Sequence, residues 1–256
     1  MNIISDRSPS AARGFSLVEL MVAVAVLGLA VASATVCMTQ ALNIVAYDNG
    51  RLLINHNNRK FANQLVTDAV KASYFAIYPN FKLRSKTVSG VTTDAAVATG
   101  DSGDLFVLVY QEPAPSDTTL VGNVVVHRVV GYFRDYPQMN ADTDPTHHLD
   151  TPSGVGPVRR FEITIPDPGV VVGGSPAYTL YNLLNDYAPV SGQSSWPVVT
   201  ESAQGSAMDQ TTAARDRLFF NFLDQSAIVA GQFQEQGNTL KKFVTNTYNF
   251  AVSPRG

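Results

Sequence analysis

Glu19 is the only charge between Gly14 and Cys37, in the run GFSLVELMVAVAVLGLAVASATVC. A carboxylate left unpaired in hydrocarbon costs on the order of several kcal/mol, so this acid calls for a partner or a place near the interface. Two further clusters hold residue types capable of chemistry. The letters GDSG, Gly100 to Gly103, also surround the nucleophile of chymotrypsin-like proteases, whose chemistry needs a histidine base, an orienting acid and an oxyanion hole. The only histidine upstream of Ser102 is His56, and Asp104 and a strand-like run follow Gly103. An Asp-Ser-Gly turn entering a strand is the better reading. The stretch NADTDPTHHLD, Asn140 to Asp150, gathers Asp142, Asp144, His147, His148 and Asp150, all oxygen or imidazole donors for a divalent ion. It lacks the glycine and terminal glutamate of an EF-hand loop, which favours a hydrated turn over a metal site.

Elsewhere there is no Gly-rich phosphate loop, no Gly-x-Ser-x-Gly elbow and no His-Glu-x-x-His pair. Neither an enzymatic activity nor a cofactor is expected. The formal charge of −3 gives no general reason to expect nucleic acid as a partner. The short pairs Arg159-Arg160 and Lys241-Lys242 read as solvated strand ends. Cys37 is the only cysteine, which excludes an intrachain disulfide, and its apolar neighbours suggest an inert, buried thiol.

These residues need elements to hold them. From Phe15 to Cys37 the chain runs 23 residues with one charge, which as a helix spans about 35 Å, enough to cross a bilayer. Arg7 and Arg13 precede it against Asp6, so the positive-inside tendency keeps this end cytoplasmic and sends the bulk of the chain outside. A secretory signal is the first rival, since Ala32-Ser33-Ala34 has the small-x-small pattern of a cleavage site. Glu19 argues against it, as does the apolar pattern continuing through Val36, Leu42, Ile44 and Val45. A secreted or membrane-anchored binding protein with an ordinary signal or anchor is the alternative reading.

The residues GFSLVEL, Gly14 to Leu20, resemble the processing motif of type IV prepilins and the related pseudopilins of type II secretion. Basic leader, small residue, Phe, acid at this spacing and a long apolar run coincide. The resemblance implies that a prepilin peptidase cuts between Gly14 and Phe15 and methylates the new amino terminus at Phe15. It makes Glu19 the assembly residue, paired with the Phe15 amine of a neighbouring subunit. Such a pair acts as a register device, because a wrong stagger leaves both charges unpaired at a cost of about 3 to 5 kcal/mol. The plainer reading sets Glu19 at headgroup level in a monomeric anchor. Gly28 lies where family members can loosen the helix, though Val36 stands where many pilins carry a proline.

After the span, Phe61, Leu65, Ala69 and Ser73 recur at four-residue steps beside Ala62, Val66, Val70, Tyr74 and Ile77, an apolar stripe of helical period that Pro79 ends. Asp48 to Gly50 is a turn signal that marks a possible kink. Strands are expected at 105–110, 123–133, 160–165, 177–184, 217–223, 225–231 and 241–252. Phe219, Phe220, Phe222, Phe243, Tyr248 and Phe250 are expected in the sheet core. Loops are expected over Arg84 to Gly103, Pro137 to Val158 and Asp186 to Arg215.

The expected fold class is α+β, a long amino-terminal helix packed on a mostly antiparallel sheet. The expected divisions are a cleaved leader over 1–14, a helix over 15–78 with 15–37 in the membrane, and a β-rich head over 79–256. The resemblance implies a structural subunit of a pilus or secretion filament, and the chain's size points to a minor one. Its implied partners are prepilin peptidase, other pilin or pseudopilin subunits, the inner-membrane assembly platform and, before assembly, the lipid bilayer. Its implied location is the bacterial inner membrane as a single-pass protein, then an extracytoplasmic filament.

Overall fold

The computed structural model of the chain describes residues 16–113, 124–135, 156–166, 169–172, 178–205, 217–236 and 243–255. These form an α+β protein that divides into two units, Met1–Asp48 and Asn49–Gly256. Helix α1 is Leu17–Val70, and the turn-prone Asp48 to Gly50 are helical residues within it. Within the first unit its side chains meet no covering layer among the described residues, and Cys37 is exposed, not buried as its neighbours suggested.

In the second unit the helix ends at Val70, eight residues before the expected Tyr78. Tyr74–Tyr78 is strand β1. This pentad, YFAIY, is aromatic and β-branched, and such side chains fit a pleated surface better than a helix. Its apolar residues continued the helical stripe by coincidence of spacing. Ser73 N–H donates to the Val109 carbonyl at 2.8 Å, which seats the chain in the sheet at once.

The remaining strands are β2 Ser85–Val88, β3 Val91–Asp94, β4 Ser102–Gly103, β5 Leu105–Pro113, β6 Val124–Arg134, β7 Gly156–Thr164, β8 Val170–Val172, β9 Val198–Gly205, β10 Phe219–Phe222, β11 Ser226–Gln236 and β12 Phe243–Val252. Ten of the twelve form one sheet in the order β1-β5-β6-β7-β9-β11-β10-β4, with β12 beside β11 and β8 beside β6; β2 and β3 make a separate hairpin. Every pairing among the described residues is antiparallel.

Both faces of this sheet are covered, which explains the unbroken apolar run of β5. Phe106 and Leu108 join Ile54, Phe61, Leu65 and Ala69 of α1 in one core. Leu105, Val107 and Val109 join Leu180, Leu183 and Leu184 in the other. Phe61 is fully buried, with its ring edge-on to Tyr132, Phe233, Tyr248 and Phe250 at centroid distances of 6.1, 5.8, 6.3 and 6.2 Å.

The stretch expected as a strand at 177–184 is instead helix α2, Leu180–Tyr187. Leu180, Leu183 and Leu184 fall on one helical face, and the Asn182 side-chain oxygen accepts from the Thr179 N–H at 2.9 Å and its hydroxyl at 2.7 Å, fixing the helix start. At the other end, Arg84 donates to the carbonyls of Leu184 and Ala188 at 2.7 and 2.8 Å, placing a cation where the helix dipole is negative. Burial pulls this guanidinium down to about 10.

Two expected loops carry structure. Arg84 to Gly103 contains β2, β3 and β4, and Asp186 to Arg215 contains a 3-10 turn at Val190–Ser195 and strand β9. Most of Pro137 to Val158 lies outside the described residues. Among the expected core aromatics, Phe219 and Tyr248 are buried and Phe250 packs against the core, whereas Phe222 is 47% exposed at the β10 to β11 turn. The side chain of Phe243 lies outside the described set.

Candidate functional site

Ser16 precedes the first helical residue, and the helix begins with a reciprocal pair of hydrogen bonds. The Ser16 N–H donates to Glu19 Oε2 at 3.0 Å, and the Glu19 N–H donates to Ser16 Oγ at 3.2 Å. This is a capping box, in which two orphan amide donors of a helix start are satisfied by the side chains three residues apart. Glu19 therefore has a partner within its own chain. The signal was present in the sequence as Ser-x-x-Glu ahead of an apolar run. The helix N-terminus adds a favourable partial positive charge for the carboxylate.

Around Glu19 the helix surface is uniformly apolar and uncovered. Leu17 is 74% exposed and Leu29 73%, and Val18, Leu20, Met21, Val24, Val26, Leu27, Val31 and Val36 are exposed as well. The helix is long and apolar enough to cross a membrane, and none of its most apolar eighteen-residue window is buried. Exposed apolar surface of this extent marks a membrane or protein interaction region. Among the described residues nothing lies within 4 Å of a Cβ built on Gly28, and the helix runs through it unbroken. Gly14 and Phe15 lie outside the described residues, as do Asp142, Asp144, His147, His148 and Asp150.

A second acid, which sequence reasoning passed over, anchors the carboxyl-terminal part of α1. Asp68 lies on the buried face of the helix beside Leu65 and Ala69. Its Oδ2 accepts from the Tyr132 hydroxyl at 2.6 Å and from Arg160 Nε at 2.9 Å, while its backbone carbonyl accepts from the Tyr110 hydroxyl at 2.7 Å. Arg160 and Arg128 also reach Glu162, at 2.8 and 2.7 Å. One helical residue thus ties α1 to β5 through its backbone carbonyl and to β6 and β7 through its carboxylate. Burial and the Asp68 carboxylate push the Tyr132 hydroxyl far above the ordinary phenol range and that of Tyr110 up to about 12. Burial alone would raise Glu162, but the guanidinium bonds from Arg160 and Arg128 outweigh it and hold that carboxyl below its usual value.

The pair Arg159-Arg160 is accordingly not a solvated strand end. Both residues sit inside β7, Arg159 donating to Asp135 at 2.7 Å and to the Trp196 carbonyl at 2.6 Å. Lys241-Lys242 lies outside the described residues.

The GDSG letters form a turn and a short strand. Gly100 has φ +89, a left-handed conformation that favours glycine. Ser102 and Gly103 pair with Phe220 and Phe219 of β10, and the Ser102 hydroxyl is buried without a hydrogen-bond partner among the described residues. A Cβ on Gly103 would stand 2.1 Å from the Tyr78 carbonyl oxygen, which gives this glycine a packing role. Asp104 is a buried anchor: Arg134 grips it with two bonds of 3.1 and 2.8 Å, and Arg217 donates to it at 3.2 Å. His56, the one upstream imidazole, is exposed on α1.

Comparison with known families agrees with the geometry at the amino terminus. A family profile described as the prokaryotic N-terminal methylation motif matches residues 9–35. No curated protein and no solved structure matches the chain. The match spans the bond between Gly14 and Phe15, the capping box and most of the uncovered apolar helix. Over residues 9–35 the chain is similar to proteins that carry the prokaryotic N-terminal methylation motif.

Proposed function

We propose that this chain is a structural subunit, a minor pilin or minor pseudopilin, of a type IV pilus or a type II secretion-like filament. What supports the reading is one coincidence: the methylation motif over residues 9–35 falls on the amino-terminal part of α1, whose apolar side chains find no cover among the described residues. Prepilin peptidase removes residues 1–14, and the mature chain begins at an N-methylated Phe15. The apolar part of α1 holds the subunit in the inner membrane with its start on the cytoplasmic side. On contact with the assembly platform and neighbouring subunits, the same surface passes from lipid to the filament core. There Glu19 meets the Phe15 amine of a neighbour, and the sheet-bearing part of the chain lies on the outside.

Mass spectrometry of the native amino terminus tests the processing step. Methylated Phe15 is the expected start; an unmethylated start at Thr35 would sink the proposal. The assembly role is tested by Glu19→Ala, which should leave insertion and cleavage after Gly14 intact while filament incorporation falls by roughly tenfold or more, given the cost of an unmatched charge in an apolar core. Normal incorporation of that variant would remove the pairing role.

A further inference from the structure

Past Asp48 the exposed surface of α1 turns cationic. Residues 49–67 carry Arg51, Arg59 and Lys60 and no acid, in a chain whose net charge is −3. All three cations are exposed, on the stretch of helix that buries Ile54, Phe61 and Leu65. Among the described residues none of the three makes an ion pair. Apolar side chains share their surface, since Leu52 is 67% exposed and Leu53 46%. Leu52, His56, Arg59 and Asn63, all exposed, follow one another at four- and three-residue steps, which sets leucine and cation on one outward face.

The chain ahead of this face indicates what it meets. Leu20 to Tyr47 is 28 residues without a charge, about 42 Å as a helix, which matches a bilayer of about 40 to 45 Å with its headgroups. Tyr47 is the first aromatic residue after Phe15, and it is exposed. Tyrosine is enriched where hydrocarbon gives way to headgroups. Arg51 follows four residues later. From Arg51 to Lys60 the helix rises about 14 Å, comparable to one headgroup layer plus a Debye length of about 8 Å.

We propose that Arg51, Arg59 and Lys60 form a contact site for the phosphate headgroups of anionic lipid, with Leu52 and Leu53 against the apolar side of the same interface. Cations beside a membrane anchor draw anionic lipid by charge, and leucines interleaved with them favour a lipid surface over nucleic acid, which offers no acyl boundary. The proposal rests on the reading of α1 as a membrane anchor and adds a lipid class to it.

The test uses the full chain reconstituted in vesicles of phosphatidylcholine with 30 mole per cent phosphatidylglycerol, in which about one lipid in a hundred carries a nitroxide on its acyl chain. Electron spin resonance reads the fraction of each labelled lipid held at the protein. Labelled phosphatidylglycerol should be favoured over labelled phosphatidylcholine by about fivefold or more, and 1 M salt should remove the preference. The triple variant Arg51→Gln, Arg59→Gln, Lys60→Gln should lose it, while Arg51→Lys with Arg59→Lys should keep it. Both variants should insert and unfold as the parent does, since the changes lie on the exposed surface. Equal retention of the two lipids by the parent overturns the proposal, as does a preference that survives in the triple variant or falls only in Arg7→Gln with Arg13→Gln. Oligonucleotide capture in neutral vesicles without lipid preference would give the face to nucleic acid. Flotation of the vesicles separates these outcomes from failure of the anchor itself: a chain that does not insert sinks the anchor reading, and one that inserts without lipid preference sinks this proposal alone.

Discussion

The two parts of α1 share one backbone geometry and have opposite surfaces. In the first unit Leu27 is 64% exposed and Leu29 73%, while in the second Phe61, Leu65 and Ala69 are wholly buried. Each part also carries one acid on an apolar surface. Glu19 is held by the serine three residues before it, within one turn of helix. Asp68 is held from afar, by Tyr132 and Arg160 on two strands. A carboxylate with local partners leaves the surrounding surface available to something outside the chain, whereas one with distant partners commits its helix to the sheet.

Substitution should separate these two regimes. Phe61→Ala removes a ring in contact with four others and should cost the second unit about 3 to 5 kcal/mol. Leu27→Ala, at an exposed position, should shift that unit by less than about 0.5 kcal/mol. Denaturant unfolding of the full chain in detergent, followed by the fluorescence of Trp196, the only tryptophan, measures both. Equal effects would break the contrast. Asp68→Ala should cost about 3 kcal/mol by the same measurement; Arg160 retains Glu162 at 2.8 Å, which keeps the loss at the lower end of that for broken buried pairs.

The smallest effect concerns pH. Because the guanidinium bonds hold Glu162 below its usual value, its contribution to stability is complete above the unfolded carboxyl range, near about 4.3, and is lost as pH falls through the lower folded value. Glu162→Gln should flatten the acid limb of a stability-against-pH curve and leave its neutral limb nearly level. A steeper acid limb would mean the pair is not formed.

How legible all this was in the sequence depended on how local each cause is. Glu19 stood out because its neighbours in the chain are its neighbours in space, and β5, β6, β10, β11 and β12 announced themselves through β-branched and aromatic runs. Asp68 was the same anomaly, an acid on an apolar helical stripe, but its partners are 64 and 92 residues away and no spacing rule points to them. Strand β1 reads as helix in the sequence because Tyr74 and Ile77 prolong the periodicity of α1. Helix α2 reads as a strand in the sequence because Leu180, Leu183 and Leu184 sit among residues that favour either state. In both places tertiary pairing decided between two local readings of similar strength.

The capping box changes what it means for Glu19 to find a partner elsewhere. Any cation that engages this carboxylate must displace the Ser16 amide from it or share it. Engagement at Oε2 is then an exchange, driven by the difference between two partners and not by the full cost of an isolated charge. Such an exchange is reversible, and the carboxylate regains the Ser16 bond when the cation leaves.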